Sequence, residues 1–102
     1  MDKREIRNKL KEYATEVGKH IPIKKLLVYG SYSSKKFNKD SDIDVAIVIK
    51  NNSIDIIKCE SLLWRIASEV DSRIEPMIFE EGNDPSGFLE DILKHGEVIV
   101  NN

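Results

Sequence analysis

Residues 29–48 read "YGSYSSKKFNKDSDIDVAIV", and the fold turns on how this stretch is read. Asp42 and Asp44 stand two positions apart and lead into the apolar run 45–49, whose Val and Ile residues favour a strand. Residues two apart in a strand share a face. Both carboxylates then point to one side, and Ile43, Val45 and Ile47 to the other, into a core. Two anions this close repel each other, so the pair needs solvent or a divalent cation. Oxygen donors of this kind suit Mg²⁺, which takes one or two carboxylates together with substrate phosphates. Gly30 and Ser31 close the preceding strand-like run, "KKLLVYG". Glycine permits a tight turn and close approach of a ligand to the backbone. The amides that follow fall at an expected helix start over Ser31–Lys36, where phosphate oxygens are well received, and the Ser31 hydroxyl adds a donor.

Outward from this stretch the pattern alternates. Ile6, Leu10, Tyr13 and Val17 predict an amphipathic helix from about Asp2, a candidate cap, to Gly18. "NKDS" reads as a polar loop, in which Asp40 suits a capping role. "NNS" marks a turn and offers Asn52 or Ser53 as the cap of a helix carrying Leu62, Leu63, Ile66, Ala67 and Val70, through about Asp71. "RIEPMIFEE" predicts a strand that Pro76 places at an edge or makes irregular. "GNDPSG" is a loop, "FLEDILKHG" a short helix stopped by Gly96, and "EVIV" a small last strand. This order predicts an α/β (α+β) domain with a small mixed β-sheet flanked by helices.

Length and composition bound the rest. A chain of 102 residues fits a single domain over 1–102. With 33% charged and 40% hydrophobic residues it is globular rather than disordered. A formal charge of −2 does not favour nucleic acid or an anionic membrane as the main partner. The charged start lacks the apolar core of a signal peptide, and no apolar run approaches membrane-spanning length. With a single cysteine, Cys59, the expected location is reducing and cytoplasmic. Cys59 is expected as a buried structural thiol, and Trp64 as a core or interface residue. His20 and His95, without metal-ligand spacing, are expected in structural or surface roles, and the Lys-rich start as a solvated helix face.

Gly30-Ser31, ten intervening residues and then Asp42-x-Asp44 resemble the nucleotidyltransferase pattern of the DNA polymerase beta superfamily. The size resembles its minimal nucleotidyltransferases, stand-alone domains often paired with a helical HEPN protein. "SDIDVAIV" is similar to the family's second strand, "RIEPMIF" to the strand supplying a third carboxylate, and "FLEDILKHGEVIV" to its last helix and tail. The resemblance implies the polymerase beta-like nucleotidyltransferase fold and two Mg²⁺ ions, with ATP as substrate. It assigns metal binding and catalysis to Asp42, Asp44 and Glu75, with Gly30 and Ser31 on the triphosphate. Two departures stand out. Basic charge arrives at Lys35 or Lys36, one place late, with Lys35 the candidate phosphate ligand, and a second glycine is missing. The third acid is Glu rather than Asp, with Asp71 its rival; Glu75 is preferred because it lies inside the strand-like run. The implied activity is transfer of a nucleoside monophosphate, AMP from ATP, to a hydroxyl of a HEPN-type toxin, with this chain as the antitoxin. The competing reading is a binding module that neutralises a partner by contact, its acids idle.

Overall fold

The computed structural model describes residues 3–30, 41–50 and 55–102. The described elements run α1 (Lys3–Gly18), β1 (Ile23–Tyr29), β2 (Ile43–Ile49), α2 (Ile56–Val70), β3 (Ile74–Glu80), α3 (Phe88–His95) and β4 (Glu97–Asn101). They build one four-stranded sheet in the order β3-β2-β1-β4. β1 is antiparallel to β2 and β4, whereas β2 and β3 run parallel. The sheet is therefore mixed and flanked by helices, as the pattern of elements predicts. The parallel pair needs a crossover, and α2 supplies it. Pro76 sits in β3, an edge strand, where a missing backbone donor is tolerated.

β2 lies inside the sheet and is buried on both faces, which explains its nearly unbroken apolar run. Ile43, Val45, Ile47 and Ile49 join Leu26, Val28 and Ile74 in a core with Ile6, Leu10, Tyr13 and Val17 of α1 and Leu63, Ile66 and Ala67 of α2. A register shift between Ile23 and Lys25 lets Ile23 share this face. The opposite face is smaller: Leu27, Ala46 and Val48 pack with Leu89 and Ile92 of α3, and Tyr29 and Phe79 flank them. Among the described residues α3 packs over Leu27, Ala46 and Val48 and not over the start of β2.

Two local expectations change. α2 is capped by Asp55, whose Oδ1 accepts from the Ile57 and Lys58 amides at 3.1 and 3.4 Å; Asn52 and Ser53, the expected caps, lie outside the described residues. A carboxylate immediately before the first helical residue satisfies two orphan donors. Cys59 is only partly buried, at the margin of the larger core, and Trp64 is half exposed. His20 and His95 lie on the surface. The Lys3–Lys11 face is solvated apart from Lys9, which is half-buried and bonds Asp71. The expected Asp2 cap, the helical turns over Ser31–Lys36 and the Asp40 cap lie outside the described residues.

Candidate active site

β1, β2 and β3 bring three side chains into one row. Tyr29 pairs with Asp44 across the antiparallel ladder, and Asp44 pairs with Glu75 across the parallel one. Strand alternation aims Asp44 and Glu75 to the face that α3 covers incompletely, in line with Ala46 and Val48 on β2 and with Met77 and Phe79 on β3. Asp42 lies just before β2, and its carboxyl also reaches hydrogen-bonding contact with Glu75. The Ile43 amide donates to the Arg73 carbonyl at 2.8 Å, fastening the starts of β2 and β3 together.

The electrostatics follow from this crowding. Glu75 is raised from its ordinary value by desolvation, then by the Asp42 and Asp44 charges and by hydrogen bonding with both. Asp44 is raised by burial and by Asp42, against a lowering hydrogen bond from Glu75. The Asp44 and Glu75 carboxyls are therefore coupled in their titration. The Tyr29 phenol is raised by burial and by the Asp44 and Glu75 charges. These are oxygen donors, concentrated and partly desolvated, whose repulsion a hard cation would relieve. Among the described residues no group of three His, Cys, Asp or Glu side chains is placed so as to hold a metal ion by itself. The fit to Mg²⁺ rests on the chemistry of the donor set, with substrate oxygens left to complete the coordination.

Gly30 ends β1 with φ +70°, a conformation that disfavours residues with a Cβ. A Cβ there would collide with the Asp44 Oδ2 and lie 3.3 Å from its Cγ. The absent side chain is what lets the turn pass against the carboxylate. Ser31 and Lys35, the other candidate phosphate ligands, lie outside the described residues. Asp71 stands elsewhere, at the C-cap of α2. Its side chain accepts from the Arg73 amide and Nε at 3.0 Å each, from Arg73 Nη2 at 2.6 Å and from Lys9 Nζ at 3.1 Å. Those bonds hold its carboxyl well below the usual range. Tyr29 was not among the candidates, although its position one residue before Gly30 on a strand was a usable signal.

The sequence matches the Polymerase beta, Nucleotidyltransferase family over residues 8–102. Sequence comparison with curated proteins gives no match. Among solved structures, the toxin-antitoxin with AMP-PNP superposes with a TM-score of 0.68 at 22% identity, covering 94% of this chain and 73% of that one. A mutant of the toxin-antitoxin MntA-HpeT gives 0.65 at 21% identity, covering 94% and 73%. The toxin-antitoxin MntA-HepT gives 0.61 at 18% identity, covering 94% and 70%. At these identities the likeness speaks for the fold, and the fold agrees with the family match. With nearly the whole sequence matched and the sheet arranged as described, the chain belongs to the polymerase beta nucleotidyltransferase family.

Proposed function

We propose that this chain is a single nucleotidyltransferase domain that transfers AMP from ATP to a hydroxyl of a HEPN-type toxin, acting as its antitoxin. The observation that carries the reading is the convergence of Asp42, Asp44 and Glu75 beside the Gly30 turn. The fold likeness to toxin-antitoxin structures, one of them with AMP-PNP, supports the pairing and the nucleotide.

Asp42, Asp44 and Glu75 would hold Mg²⁺, which when bound neutralises phosphate charge and the departing pyrophosphate. Gly30 admits the triphosphate close to the backbone, with Ser31 and Lys35 as further phosphate ligands. Asp42 and Asp44 fix the nucleotide end of the site. Glu75, with its raised affinity for protons, takes the proton from the acceptor hydroxyl as that oxygen attacks the α-phosphorus. In-line attack needs the hydroxyl held about 3–3.5 Å from phosphorus with water excluded. Among the described residues only α3 lies over part of this sheet face, and a docked partner would complete the enclosure.

The test is incubation of the chain with Mg²⁺-ATP and a HEPN-type partner encoded beside it, read by intact mass. Added AMP units on the partner, lost with Asp44→Ala, are the expected result. An unmodified partner that is still neutralised by Asp44→Ala would establish the contact-only module instead.

A further inference from the structure

The face that carries the acid row also carries an aromatic floor that the chemistry above does not use. Phe88 opens α3, and its ring lies between two others. It meets Tyr29 edge-on, with centroids 6.0 Å apart and planes at 85°, and Phe79 at 5.9 Å and 31°. These neighbours do not bury it: Phe88 is 43% exposed, and Met77, on the same face of β3, is 48% exposed. A half-exposed aromatic ring fixed by two others is an unusual use of apolar surface in a domain with a filled core.

Its position is set by the sheet. Tyr29 belongs to both features, as cross-strand partner of Asp44 and as ring neighbour of Phe88. Met77 follows Glu75 by two residues and pairs with Ala46, which follows Asp44 by two. The floor therefore begins about 7 Å along the strands from the acid row. Phe88 is also held at its backbone. The Asp84 carboxylate accepts from the Leu89 and Glu90 amides at 3.0 and 2.9 Å, and the Ser86 hydroxyl accepts from the Phe88 amide at 3.3 Å. The exposed apolar residues of α2, Ile57 and Trp64, belong to a helix packed on the other face of the sheet.

We propose that Phe88, packed against Tyr29 and Phe79, is the platform on which the purine ring of the nucleotide stacks. The proposal rests on the nucleotidyltransferase reading. With the phosphates at Gly30 and the acids, the base extends along the strands over the floor. A flat ring gains dispersion and π-contact from Phe88 without a hydrogen-bonding code, so the platform favours the larger purines over pyrimidines.

Titration calorimetry on the full chain, with Mg²⁺-ATP and with Mg²⁺-tripolyphosphate, tests it. The variants are Phe88→Ala, Phe88→Leu and Phe88→Trp. Stacking predicts that Phe88→Ala and Phe88→Leu weaken ATP binding on the order of tenfold, as removal of a base-stacking aromatic does elsewhere. Phe88→Trp should retain it, and tripolyphosphate should bind all variants as it binds the native chain. Unchanged ATP affinity in Phe88→Ala overturns the platform, as does equal weakening of both ligands, which would mean that Phe88 acts through the fold. Native affinity in Phe88→Leu would reduce the role to packing and overturn stacking. Failure of the native chain to bind either ligand would instead bring down the nucleotidyltransferase reading, and the platform with it.

Discussion

Gly30→Ala isolates what the glycine contributes. Two costs add at this position. A Cβ in the left-handed region costs about 1–2 kcal/mol. The same Cβ also falls on the Asp44 carboxylate, and forcing atoms into filled space costs about 1–3 kcal/mol. Gly82 supplies an internal control, because it has φ +83° but nothing within 4 Å of an added Cβ. Gly82→Ala should therefore lose about 1–2 kcal/mol and Gly30→Ala about 2–5 kcal/mol. At this chain length each kcal/mol lowers Tm by about 4–8 °C, so thermal and urea unfolding resolve the difference. Removing the obstacle should remove the excess: in an Asp44→Ala background, Gly30→Ala should cost no more than Gly82→Ala. Should Asp44 swing aside in Gly30→Ala, stability recovers toward the Gly82→Ala value, but the carboxylate leaves Glu75 and Mg²⁺-ATP binding fails. A Gly30→Ala protein with only the Gly82-sized loss and native nucleotide affinity would refute the close approach of turn and acid.

Three further outcomes follow from the same geometry. Asp44 and Glu75 have raised folded pKa values, so their ionisation works against the fold as pH rises through them. Asp44→Asn should then melt at or above the native temperature at pH 7 without metal, while losing Mg²⁺-ATP binding; a large drop in Tm would make Asp44 a structural residue. Asp71 is depressed by Arg73 and Lys9, so its contribution is complete above the ordinary aspartate value near 3.9 and fades as pH falls below it. Asp71→Ala removes the carboxylate that Arg73 and Lys9 bond and should cost about 1–3 kcal/mol at pH 7, with a flatter acid limb in melts from pH 2 to 7. Tyr13 donates from its buried hydroxyl to the Leu63 carbonyl at 3.0 Å, tying α1 to α2. Tyr13→Phe should lose about 1 kcal/mol in urea unfolding.

The strands and the acid positions were legible because they depend on short-range regularities. A two-residue period sets Asp44 on the face opposite Ile43 and Val45, and Pro76 limits its strand to an edge or an irregular one. The order β3-β2-β1-β4 was not legible, since nothing local in "EVIV" says that it pairs with β1. The cap of α2 was missed for a similar reason. Asn52, Ser53 and Asp55 are all good cap residues, and only the first helical turn selects Asp55. Asp71 and Glu75 looked like rivals in sequence; tertiary contacts with Lys9, 62 residues away, separate them. The aromatic floor was invisible because Tyr29, Phe79 and Phe88 come from three elements.

The pairing of β4 with β1 carries a kinetic consequence. Lys25 pairs with Asn101, and the Asn102 side-chain amide donates to the Ile23 carbonyl across 79 positions of sequence. Loop closure over such a span delays its contacts relative to local ones. Helices α1 and α2 can form early, and β2 with β3 can assemble through the α2 crossover. β1 must then wait with one hydrogen-bonding edge open until residues 97–101 dock. During that interval the strand "IKKLLVY" is a template for another chain, with Lys24 and Lys25 as its charged deterrents to mispairing. The slow step of folding, and the state most prone to self-association, should both lie at the docking of β4.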